Sequence, residues 1–80
     1  MNLVDALKAA HATNKAIRLP IWAPHIVLVE GADGFPHRCQ FEGSEPRLER
    51  GTRLSVRELT SKHWELDKQG RRYQVEATSV

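Results

Sequence analysis

Residues 26–42 read "IVLVEGADGFPHRCQFE", and the parsing of this stretch decides the fold. Ile26 to Glu30 is a run rich in β-branched side chains, the pattern of a central strand buried on both faces. "GADGF", residues 31–35, supplies the glycines and the aspartate of a hairpin loop. Beyond it the chain alternates. His37, Cys39 and Phe41 fall on one face of a strand, and Arg38, Gln40 and Glu42 on the other. Two strands joined by so short a loop run antiparallel.

Upstream, Ile17, Leu19 and Ile21 alternate with Arg18, Pro20 and Trp22, which predicts another strand with an apolar face. Pro20 has no N–H for a ladder, so this strand lies at an edge or bends at the proline. Before it, Leu3, Val4, Leu7, Ala10 and His11 keep the spacing of one helical face, and a helix is expected over residues 2–12. Asn2 is its cap, Asp5 suits the positive end of the helix, and Asn14 is a left-handed terminator.

Downstream, "EGSEPRLERGT" (residues 42–52) is polar and turn-rich, with room for one short strand. "LSVRELTSK" carries a capping box, Ser55 with Glu58, and predicts a short helix over 55–61 with Val56 and Leu59 on one face. "HWELDKQGRRYQVEA" then reads as a final hairpin. Trp64 and Leu66 would pair with Tyr73, Val75 and Ala77 across a turn at Gln69-Gly70. The expected order is helix, three strands, short helix, two strands. The fold class is α+β: an N-terminal helix packed on a small, curled antiparallel sheet of about five strands, with a second short helix.

Eighty residues make one domain, 1–80. A chain of this size buries only about 60–65% of its unfolded surface, and its total stability should be about 4–12 kcal/mol. Self-association as a homo-oligomer is therefore expected. The net charge is +2, with eight arginines to four lysines. Guanidinium favours planar contacts to phosphate or carboxylate, yet the charge is too mild for a nucleic-acid protein, and nucleic acid is not an expected partner. The densest basic run, "RLERGTR" (residues 47–53), reads as a solvated loop or as an anion site. The single cysteine, Cys39, excludes an intrachain disulfide and points to a reducing compartment. The N-terminus has no signal-peptide pattern, and no segment approaches the ~18 apolar residues of a membrane span. A soluble, cytoplasmic protein is expected, with no membrane contact.

Catalytic patterns are weak. His37 and Cys39 share one strand face but run parallel, which is poor nucleophile–base geometry, and Cys39 reads as a buried structural residue. His25, His37 and Cys39 lack the tight spacing of a zinc site. There is no Gly-rich phosphate loop, Ser-His-Asp set or carboxylate pair, so no enzyme, metal or cofactor is expected. Arg18 and Trp22 lie opposite Ile17, Leu19 and Ile21. Two readings remain: a stacking surface with a charge for phosphate, or an indole covering the helix beside a solvated arginine. Trp64, alternating with Leu66, reads as core.

Both ends of the chain resemble the Thoeris anti-defence two family of small phage proteins. The N-terminal part of that pattern is Asp5-Ala6-Leu7-Lys8-Ala9, then Lys15, Arg18 and Trp22. The C-terminal part is Leu54-Ser55, Glu58-Leu59 and Trp64-Glu65-Leu66. The resemblance implies a sponge that holds cyclic nucleotide immune signals, such as cyclic ADP-ribose derivatives or cyclic oligonucleotides, without cleaving them. It also implies symmetric oligomers with pockets between subunits. Arg18 and Trp22 are the leading candidates for ligand contact, and Arg38, His63 and Trp64 complete the set. The chain differs from the pattern at Asn14, usually glycine, at Lys62-His63, usually an acidic pair, and in a shorter middle. Asn14 is a harmless swap at a left-handed position, whereas the other two differences suit a second reading, a small inhibitor that docks on a host defence protein such as a CRISPR effector.

Overall fold

A computed structural model describes residues 1–49 and 51–75. The elements are α1 (Leu3–Thr13), β1 (Ile17–Arg18), β2 (Ile26–Glu30), β3 (Pro36–Glu42), β4 (Glu45–Leu48), α2 (Val56–Thr60) and β5 (Glu65–Leu66). The strands form one antiparallel sheet in the order β4-β3-β2-β1-β5. This is the expected α+β architecture of an N-terminal helix, a five-stranded sheet and a second short helix.

β2 is central and buried on both faces, as its composition predicts. Leu28 faces one cluster, with Ala6, Ala10, Ile17, Leu19, Trp64 and Tyr73. Val27 and Val29 face the other, with Ala16, Cys39 and Leu48. The register Val27↔Cys39 and Leu28↔Arg38 puts Cys39 in the second cluster and sends Arg38 to the α1 side. α1 covers the first cluster through Ala6 and Ala10, both fully buried. Residues this small let the helix lie close on the sheet. Its Asn2 cap accepts the Asp5 N–H at 2.8 Å. Asn14 ends the helix in the left-handed region (φ 51). Its side-chain oxygen also accepts the Gln74 N–H at 3.0 Å, a tie that glycine could not make.

Four expectations need correction. β1 stops at Arg18, because the chain turns at Pro20 and the Trp22 N–H bonds the Leu19 carbonyl. Ile21, expected on the core face, is thrown out to 86% exposure. Of the two alternatives expected for Pro20, the bend is the one that holds, and β1 is internal, between β2 and β5. The final hairpin does not form. Gly70 makes its turn (φ 70), but β5 pairs with β1 through Ile17↔Leu66 and Arg18↔Glu65, and residues 71–75 pair elsewhere. Ala16 donates to the Arg71 carbonyl, and Glu30 exchanges hydrogen bonds with Tyr73 and Val75. Ala77 lies outside the described residues. Residues 45–48 do form a strand, so four strands precede α2 and one follows. Finally, α2 has its Ser55–Glu58 capping box, but Val56 and Leu59 are 76% and 50% exposed and the helix buries no residue.

The departed hairpin has a physical cause in Asp67, which is 4% exposed. Its carboxylate accepts from Arg71 Nε at 2.7 Å and Nη2 at 3.0 Å, and from the Arg71 and Gln69 N–H groups. This closes the 67–71 turn on itself. Arg71 also stacks on Phe41 at 5.2 Å and donates to the Pro24 carbonyl, drawing the returning chain across the sheet rather than along β5. No helix among the described residues is long and apolar enough to cross a membrane.

Candidate functional site

Both tryptophans meet at one residue of α2. Trp64, 1% exposed, donates its indole N–H to the Glu58 carbonyl at 2.9 Å. Trp22, half-buried, donates its own to Glu58 Oε2, also at 2.9 Å. The two rings pack edge to face, 5.3 Å between centroids at 88°. The Arg38 guanidinium covers the Trp22 ring at 5.3 Å and lies 3.7 Å from Glu58 Oε1. That oxygen already accepts the Ser55 N–H at 2.8 Å in the capping box. Burial pushes the Glu58 carboxyl up, but the Ser55 N–H, the Trp22 indole and the Arg38 charge outweigh it and hold the group below the ordinary glutamate value. Glu58 is thus an ionised hub facing the protein.

A cleft of about 400 Å³ opens beside this hub. Leu19, Pro20 and Ile21 form one wall, and Arg57, Glu58, Ser61 and His63 the other. Pro20 creates the first wall by breaking β1, and the short α2 creates the second. Among the described residues Glu58 is the only acid lining the cleft, and its carboxylate is engaged on the protein side. Among the described residues, Arg57 and His63 form no ion pair, whereas Arg38, Arg47 and Arg71 each do. The cleft therefore combines apolar walls with a guanidinium and an imidazole at its rim, a suitable receptor for a flat body bearing negative charge.

Of the five residues singled out from sequence, Trp22, Arg38 and Trp64 gather around Glu58, and His63 lines the cleft. Arg18 does not reach outward. Its guanidinium donates to the carbonyls of Trp22, Ala23 and Pro24, which holds the 20–24 segment whose prolines weaken its own pairing. Nor is the Trp22–Arg18 pair an open stacking surface, since Arg38 occupies a face of the indole and Trp64 meets it edge to face. Arg57, Ser61 and the apolar wall were missed. The available signal was the run from Arg53 to His63, where Arg53, Arg57, Lys62 and His63 meet a single acid, Glu58. Glu58 itself was legible only as a cap.

The other chemistry-bearing groups are structural. Cys39 is fully buried, and burial pushes its thiol up, away from the reactive thiolate. His37 turns to Asp33 at 2.8 Å rather than to Cys39. No group of three or more His, Cys, Asp or Glu among the described residues is placed to hold a metal ion. Arg50, within the basic run, lies outside the described residues. Compared with protein-family models, curated proteins and solved structures, the chain finds no match.

Proposed function

We propose that the protein is a phage-encoded, non-catalytic anti-defence protein that sequesters an anionic cyclic nucleotide signal in the infected bacterial cell. The cleft between the Leu19–Ile21 turn and α2 is its binding site. The observation that carries this reading is the charge arrangement: Glu58 is turned inward and neutralised by Arg38, while Arg57 and His63 form no ion pair among the described residues and stand over apolar walls. A base packs against Leu19, Pro20 and Ile21, and phosphates meet Arg57, His63 and the Ser61 hydroxyl. A second copy of the chain covering the cleft fits the symmetric oligomers that the family resemblance implies. Trp22, Arg38 and Trp64 then serve the ligand indirectly, by fixing α2.

The test is direct. The protein is incubated with a panel of cyclic ADP-ribose isomers and cyclic di- and trinucleotides, and native mass spectrometry records the complexes. A tight complex releasing intact ligand on heating supports sequestration. Cleaved ligand, or no complex with any member of the panel, overturns it.

A second reading is favoured by Ile21, Val56 and Leu59, three apolar side chains left at 50–86% exposure. They suit a protein contact, and on this reading the molecule blocks a host defence protein. It predicts a stable complex with one host protein and no thermal shift from any nucleotide, whereas a tight ligand raises the melting temperature by mass action.

A further inference from the structure

The two walls of the cleft are held very differently. The Leu19–Ile21 wall continues from β1 and is braced on its far side. The carbonyls of Trp22, Ala23 and Pro24 accept from Arg18, and Pro24 accepts again from Arg71 at 2.7 Å. The α2 wall buries no side chain of its own. The packed residues bounding it are Leu54 and Trp64. Between them, the side-chain contacts that tie α2 to the body converge on Glu58: Trp22 and Arg38 on its carboxylate, and Trp64 on its carbonyl.

We propose that α2 is a hinged wall of the cleft and Glu58 its latch, so that the cleft widens when the two indole hydrogen bonds on that residue open. The chain hinges near Leu54-Ser55 and at Ser61, ahead of Lys62, whose carbonyl accepts from the Met1 amino group at 3.0 Å, while Trp64 stays in the core. Opening carries Arg57 and Ser61 away from the fixed Leu19–Ile21 wall. Closing brings both back against a ligand already resting there. Glu58 is thus a positioning residue: it acts on the occupant through the placement of Arg57 and Ser61. Its use in binding rests on the cleft being the binding site. The geometry of the latch does not.

The two indole N–H groups report on the latch directly, because each is a hydrogen bond to Glu58. Their hydrogen exchange is followed by nitrogen-15 NMR, without ligand, in the unmodified chain and in Trp22→Phe, which keeps an aromatic ring but loses the N–H. Glu58→Ala is the companion variant, and Trp22→Phe carries the test alone should the alanine chain not fold. The backbone carbonyl that accepts from Trp64 is present in both variants, and phenylalanine at position 22 keeps an aromatic ring beside the Trp64 indole. The Trp64 indole N–H should nevertheless exchange at least about tenfold faster in both, the scale of losing one hydrogen bond to a charged acceptor. Backbone amides of β2, measured in the same samples, report any change in global stability. A Trp64 rise no larger than the β2 rise, or an unmodified chain whose Trp64 indole exchanges only as slowly as β2, overturns the latch. Since no ligand is used, failure of the latch and failure of the binding reading are seen separately.

Discussion

Replacing Asp67 by alanine should be among the most damaging single changes in this chain. The carboxylate is 4% exposed and accepts four hydrogen bonds, two of them from a guanidinium whose side chain is itself 13% exposed. Removing it leaves the Arg71 charge nearly buried with only the Pro24 carbonyl and the Phe41 ring beside it. Breaking a buried pair from one side costs roughly 3–5 kcal/mol. The partners retained by Arg71 favour the lower end, about 3 kcal/mol, against a total of about 4–12 kcal/mol for a domain of this size. The melting temperature should fall by roughly 12–24 °C. Urea titration of both chains gives the free-energy difference from the midpoints. A loss under about 1 kcal/mol refutes the reasoning. Exchanging both partners for apolar residues, Asp67→Leu with Arg71→Met, should cost less than Asp67→Ala alone, since no charge is then stranded.

The same carboxylate sets an acid limit. Burial pushes it up, but the Arg71 side chain and the two backbone N–H groups more than compensate, so its folded value lies below the ordinary aspartate value. The stability it contributes is present above the unfolded value, near pH 4, and is lost as pH falls through the lower folded value. Glu58 acts in the same sense. Urea midpoints should therefore fall below about pH 4, and this fall should be smaller in Asp67→Asn.

Three further outcomes follow from the packing. Arg57→Ala should weaken nucleotide binding about tenfold or more by calorimetry while changing stability by less than about 0.5 kcal/mol, since the side chain is exposed; unchanged affinity removes Arg57 from the site. Gly31→Ala should destabilise by about 1–3 kcal/mol, because a Cβ there would lie 2.9 Å from His37 Cδ2 and 3.2 Å from Leu48 Cδ1; an unchanged urea midpoint would contradict that. Cys39 should resist a thiol reagent in the folded chain and react in urea, as its thiol is buried and pushed up; rapid labelling of the native protein contradicts the packing.

Much of the site was hidden from sequence for one reason: its contacts join residues far apart in the chain. Trp22 and Glu58 are 36 positions apart, and nothing in either neighbourhood marks the other. The capping box identified Glu58 as a helix start but accounts for only one of its two oxygens. The alternation at 17–22 was real as far as Leu19, and there Pro20 ended it. Ile21 was then placed by the turn rather than by period.

What the sequence determined by itself are features decided by near neighbours: α1 with its Asn2 and Asn14 ends, the two-faced β2, the hairpin to β3 and the Ser55 cap of α2. Each rests on backbone preference and side-chain period within a few residues. Tertiary structure alone decided that β5 pairs with β1, that Arg18 braces a loop instead of facing solvent, and that two indoles converge on Glu58. Those outcomes depend on which buried polar groups find partners, and a buried donor or acceptor is satisfied by whatever the fold brings near, at any distance along the chain.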